Sequence, residues 1–244
     1  MKILVCIKQG ADEGEMSRFD EFALEEALDL KDKCEESCAT DFRVDVITAG
    51  PAPVVAVVKR AFGMGADQGV HIVTRTGYRP AFVTASNLAA VAGEGNYDLI
   101  LTGIMSEDMM DGQTGPMLAE LLNYPCATAV VKTHLNPAAG IVAVEREMEG
   151  GYRDCLDIGL PAVLTIQAGI NTPRYPSLSK MLAAGKKCVT TLAEESLLSA
   201  SVSPKESLVA IELPEQTRAG RRIEGSLADQ VQQFKAFLQE KDLL

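Results

Sequence analysis

The residues best suited to chemistry lie in two loops that follow short apolar runs. The longer loop is Gly103-Ile-Met-Ser-Glu-Asp-Met-Met-Asp-Gly-Gln-Thr-Gly-Pro116. Gly112 and Gly115 permit close backbone approach to a ligand. Gln113 and Thr114 supply N–H groups and side-chain donors at the start of a predicted helix. The first donors there have no partner within the helix, and the dipole is positive, so a phosphate fits. Pro116 suits the first turn, where its missing N–H costs nothing. Asp108 and Asp111 add acceptors suited to holding ribose hydroxyls or to capping the loop. The plainer reading is a capped helix start without a ligand. The loop is neither Gly-x-Gly-x-x-Gly nor a Walker A sequence. The shorter loop, Cys6-Ile-Lys-Gln-Gly-Ala-Asp12, follows the first apolar run.

Catalytic and metal chemistry have little to stand on. Six cysteines are scattered without a Cys-x-x-Cys pair, and the histidines are His71 and His134. No metal site and no nucleophile–base pair is expected from that set. Free thiols without a leader-like N-terminus point to a reducing cytoplasm. No run approaches the ~20 apolar residues of a membrane span. The formal charge of −11 argues against nucleic acid, which needs a basic stripe.

The elements that must position these loops alternate. Strands are predicted at 2–8, 42–49, 69–74 and 97–103. Helices are predicted at 19–33, 53–64, 80–92 and 113–123. In the first helix Ala23, Leu24, Ala27 and Leu28 share a face, with Glu25, Glu26 and Asp29 off it. Such alternation builds a parallel sheet whose ligands sit beyond the carboxyl ends of the strands. A fifth strand begins at Cys126. Runs 141–148, 152–158 and 162–167 then read as strands without helices, an antiparallel extension. Past residue 190 the composition loosens through a Ser-rich run, 196–203, and a strand-like run, 207–213. A closing amphipathic helix follows at 223–239, with Leu227, Val231, Phe234 and Leu238 on one face. A nucleotide-binding domain over 1–190 and a C-terminal arm over 191–244 are expected.

Two further segments stand out. Val144-Glu-Arg-Glu-Met-Glu-Gly-Gly151 places charges on a strand before a Gly-Gly turn. Charges there suit a solvated edge; Arg146 and Glu149 are the candidates for pairing across an interface. Asn171-Thr-Pro-Arg-Tyr-Pro176 is held extended by its prolines. Ser177 then caps a short helix. Leu178 is either a core leucine or an anchor on a stiff arm.

The order charged strand, Gly-Gly turn, Leu160-Pro-Ala-Val-Leu-Thr-Ile166 and Pro-stiffened arm resembles the beta subunit of electron-transferring flavoproteins. The resemblance covers most of residues 1–190. It implies a three-layer α/β/α, Rossmann-like parallel sheet of the adenine nucleotide alpha hydrolase type. The antiparallel extension and C-terminal arm belong to that implied fold. It implies AMP in a pocket made by Cys6, Ser17, Asp20, Ala49, Ser106, Asp108, Gly112, Gln113, Thr114 and Gly115. Phe19 stands where the family puts an aromatic near the flavin, or is the first core residue of its helix. FAD would be shared with an alpha subunit, packed on partly through Arg146, Glu149 and the C-terminal arm. Pro173, Arg174, Tyr175, Leu178, Met181 and Leu182 would dock a flavin dehydrogenase. A quinone or another acceptor oxidoreductase would take the electrons onward. No residue of this chain would be a catalytic acid, base or nucleophile. Met109 and Met110 depart from the family pattern, as does the short excursion between strand one and the first helix. Two alternatives remain open: an electron-bifurcating relative with a second FAD in place of AMP, and a free-standing adenine-nucleotide module.

Overall fold

Strand β1 (Lys2–Cys6) turns Ile3 and Val5 to one face of a sheet and Leu4 and Cys6 to the other, and all four are buried. A strand covered on both faces belongs in the interior of a parallel sheet. A computed structural model of the chain places it there. It describes residues 1–37, 41–76, 79–197, 202–210, 212, 220 and 222–243. β1 runs parallel to β2 (Arg43–Gly50) on one side and β4 (Leu99–Gly103) on the other. β3 (Gln68–Val73) continues beyond β2. The remaining strands are β5 (Cys126–Asn136), β6 (Ile141–Glu147), β7 (Arg153–Gly159), β8 (Ala162–Ile166) and β9 (Thr190–Ala193). Their order among the described residues is β7-β6-β5-β8-β4-β1-β2-β3-β9.

Helices α1 (Arg18–Ser37) and α2 (Val55–Met64) cover the face that carries Ile3 and Val5. Helices α3 (Ala81–Gly95) and α4 (Thr114–Leu122) cover the face that carries Leu4 and Cys6. The result is the expected three-layer, Rossmann-like arrangement. Because β2 and β4 flank β1, the loops after β1 and β4 part at the carboxyl edge. That crevice is where ligands of such sheets sit.

The structure departs from the sequence reading in specific places. β8 is not part of the antiparallel extension; it lies between β4 and β5, parallel to both. All of its residues are buried, which only an interior position allows. The extension is β6 and β7, each antiparallel to its neighbour. Glu25 and Glu26, read as off the buried face, are each only 4% exposed; a later stretch of chain covers them. β9 and a short helix, α6 (Glu194–Leu197), were not foreseen. Four residues apiece carry no readable period.

Close contacts divide the chain into Met1–Ser207 and Leu208–Leu244, rather than at 190/191. β9 pairs with β3, which keeps residues past 190 in the first unit. The predicted strand at 207–213 is absent at 207–210 and 212, while 211 and 213 lie outside the described residues. So do Cys38 and, within the Ser-rich run, 198–201. In the second unit the last helix, α7, spans Leu227–Glu240 rather than starting at 223. Ser226 and Asp229 form a reciprocal capping box that sets its start. Leu227, Val231 and Phe234 on that helix are exposed.

Candidate functional site

The crevice is pinned by Asp20. Its Oδ2 accepts the Lys8 N–H at 2.7 Å, and its Oδ1 accepts the Gly103 N–H at 3.0 Å. One carboxylate at the start of α1 therefore ties together the two chain segments that diverge from β1 and β4. Burial pushes its pKa up to about 7, against the pull of the two N–H bonds and the Lys8 cation. Gly103 has to be glycine, because a Cβ there would lie 2.6 Å from Asp20 Oδ1 and 2.7 Å from Phe19 Cβ.

Above this pin lies a cavity of about 280 Å³. Cys6, Ile47, Ala49 and Leu88 give it apolar walls; Ser106, Asp108, Asp111, Gly112, Gln113, Thr114 and Gly115 give it a polar end. Gly112 adopts φ +63°, a backbone state that other residues reach only with strain. Gln113 precedes α4 without a side-chain cap, and Gln113, Thr114 and Gly115 line the cavity, so the uncapped start of α4 lies at its wall. This is the arrangement an anion requires. Gly115 acts differently from the expectation. A Cβ on it would meet Thr165 Cγ2 at 2.6 Å and Thr102 Oγ1 at 2.8 Å. Its bareness lets α4 seat against β4 and β8, while its position still lines the cavity.

Sequence reasoning passed over two cations of the lining, Lys8 and Arg79. Lys8 Nζ donates to both carboxylate oxygens of Asp108 at 2.7 Å and to Ser106 Oγ at 3.4 Å, joining the two loops. Burial works to raise the Asp108 pKa, but the Lys8 and Ser106 contacts prevail and hold it low. Arg79 is mostly buried and pairs with Glu194 of α6; burial lowers its pKa. Lys8 lies inside the shorter loop, two residues past the strand, where its position was readable. Arg79 gave no such signal, since Glu194 comes from an element too short to foresee. The Cys6 thiol is pushed far up, by burial first and Asp20 second, so it stays protonated. The lining thus offers donors for a phosphate, acceptors for hydroxyls and an apolar surface for a flat ring.

The remaining candidate residues fall elsewhere. Ser17 is buried beside the pin, with an Oγ that has no partner among the described residues, and Phe19 is half-buried against Gly103; neither lines the cavity. Arg146, on β6, donates to Thr128 Oγ1 at 3.1 Å, and Glu149 is exposed in the turn before β7. Gly150 and Gly151 take φ +76° and +80°, as that tight turn demands.

The arm leads into helix α5 (Leu178–Lys186), whose start is capped by Ser177 accepting the Lys180 N–H. Its candidate residues separate into two sets. Tyr175, Leu178 and Leu182 are 86%, 77% and 66% exposed. Pro173, Arg174 and Met181 are half-buried. Met181 and the buried Pro176 pack where Gly63 of α2 leaves room, and Arg174 reaches carboxylates of α1. An outward apolar set on a seated helix suits a partner surface.

Known proteins resemble this chain over most of its length. The model of the electron transfer flavoprotein domain family matches residues 3–197. The chain is 32% identical to the electron transfer flavoprotein subunit beta of Methylophilus methylotrophus, across 98% of both chains. It is 32% identical to the mitochondrial subunit beta of Arabidopsis thaliana, across 88% of this chain and 89% of the relative. With the subunit beta of Bos taurus the identity is 32%, across 86% and 80%.

Proposed function

The chain belongs to the beta-subunit family of electron transfer flavoproteins, and from that premise we propose that it holds one AMP in the cavity at the crevice. In the same proposal it pairs with an alpha subunit to form a site for FAD, and it receives a flavin dehydrogenase on Tyr175, Leu178 and Leu182. The observation that carries the nucleotide reading is the uncapped start of α4, opening into the cavity beside Gly112. Bound FAD supplies the electron transfer; the residues of this chain bind, orient and exclude water. Thr114 and Gly115 offer backbone N–H groups to a phosphate. Lys8 brings a positive charge to the same end, and Asp108 and Asp111 accept from hydroxyls. Ile47, Ala49 and Leu88 fit an adenine ring.

The outward apolar residues of the arm are suited to docking because proline and packing fix their direction before contact, so little entropy is lost. Electrons accepted from the dehydrogenase would pass to a quinone or another acceptor oxidoreductase. Of the described residues, none lies in a helix long and apolar enough to cross a membrane.

Expression alone and together with an alpha subunit tests the reading. The lone chain is expected to be colourless and to take up AMP in equilibrium dialysis. The pair is expected to be yellow, with the flavin bound only on assembly. A lone chain carrying stoichiometric flavin, or no AMP uptake by either preparation, overturns the proposal. Preference of the lone chain for ATP would support the free-standing module instead.

A further inference from the structure

We infer that Arg174 is a positioning residue: it clamps the arm to the acidic face of α1 and so fixes the direction in which Tyr175, Leu178 and Leu182 are presented. The inference rests on the docking role proposed for those three residues.

The clamp is built from both ends of Arg174. Its backbone N–H donates to Glu25 Oε2 at 2.8 Å, and its Nε donates to Glu25 Oε1 and Oε2 at 2.9 and 3.0 Å. Its Nη2 reaches Asp29 Oδ1 at 3.2 Å and Asp32 Oδ2 at 3.0 Å. Glu25, Asp29 and Asp32 stand on successive turns of one helix face. A guanidinium fork matches such a row of carboxylates. The Glu25 side chain is 6% exposed, so it needs this partner, while Asp32 at 55% marks the open end of the row. Without Arg174 the row would lose the cation that pairs with all three of its carboxylates.

A second tie lies three residues earlier. Asn171 Nδ2 donates to the Phe22 carbonyl at 3.1 Å and to Glu26 Oε2 at 2.9 Å. Glu26 Oε1 in turn accepts from Thr133 of β5. Glu25 and Glu26, neighbours on α1 and both buried, are therefore both taken up by the arm. Tyr175 follows Arg174 directly, and Leu178 opens α5 three residues later. What Arg174 fixes is the entry of the chain into α5; Met181 against Gly63 holds the helix farther along.

Hydrogen exchange read by mass spectrometry on the assembled protein tests the clamp. In Arg174→Gln the amides from Tyr175 to Leu182 are expected to exchange at least tenfold faster. Amides of β1 and β4 should change less than twofold. If Glu25 left alone prevents folding, the double variant Arg174→Gln/Glu25→Gln removes the stranded charge and is read in the same way. Equal acceleration of the sheet and the arm would reduce Arg174 to a general stabiliser and overturn the inference. Unchanged exchange in the arm would overturn it too. Steady-state kinetics with the reduced dehydrogenase separate the clamp from the docking role. A loosened arm should raise KM at least tenfold at constant kcat. A loosened arm with unchanged KM would refute docking through the arm while leaving the clamp intact.

Discussion

Asp20 gives the sharpest quantitative prediction. It is a buried carboxylate whose folded pKa is raised from 3.8 to about 7. The sign follows from proton counts. Between those two values the folded chain binds more protons at Asp20 than the unfolded chain does. Its contribution to stability therefore grows as the pH falls through 7 toward 4, and is lost as the pH rises through 7. At ~1.36 kcal/mol per pKa unit the full window is worth roughly 4 kcal/mol. The part between pH 8 and pH 5 is roughly 2–3 kcal/mol by the same linkage. Asp20→Asn keeps the shape and removes the titration. It also turns an amide N–H₂ toward one of two backbone donors, a pH-independent cost of roughly 1–3 kcal/mol. Urea unfolding of the full chain and of the variant at pH 8, 7, 6 and 5 separates the two effects. The stability of the parent minus that of Asp20→Asn should grow by roughly 2–3 kcal/mol from pH 8 to pH 5. A flat difference, or one that shrinks on acidification, would show that Asp20 does not take up a proton in this range.

Four other perturbations test separate parts of the molecule. Leu178→Ala removes an exposed side chain, so its unfolding free energy should stay within about 0.5 kcal/mol of the parent. If Leu178 anchors the dehydrogenase, kcat/KM with that donor should fall by roughly 2 kcal/mol, about thirtyfold. Leu118→Ala, at a fully buried position, should instead cost roughly 2–5 kcal/mol of stability. Gly112→Ala forces a side chain into φ +63° beside the Ile104 carbonyl, at about 1–2 kcal/mol; dialysis should show weaker AMP binding, and unchanged affinity would move the phosphate elsewhere. Lys8→Met should weaken AMP binding and flatten its dependence on salt, because the variant removes one cation from the phosphate end; an unaltered salt dependence would remove Lys8 from the nucleotide.

The large features were readable because they rest on period and punctuation. Alternating apolar runs and amphipathic helices placed β1 to β4 and α1 to α4 to within a few residues, and Gly112 to Pro116 marked a helix start. What stayed hidden depended on contacts between distant segments. Glu25 and Glu26 looked like solvent-side charges because nothing near them in sequence announces Arg174 and Asn171. Ala162–Ile166 is as apolar as an interior strand, yet only pairing shows that it slips between β4 and β5. Gly115 read as a residue that admits a ligand; the atoms that crowd it belong to Thr102 and Thr165. Arg79 reaches the cavity through a loop whose partner, Glu194, lies more than a hundred residues on.

The central claim is that this beta-family chain keeps AMP in the cavity between the β1 and β4 loops. Heat release of the ligands from purified heterodimer, followed by chromatographic separation and quantitation, tests it most directly. One AMP and one FAD per heterodimer is the predicted result. Two FAD without AMP would contradict it and assign the cavity to a second flavin, as in an electron-bifurcating relative.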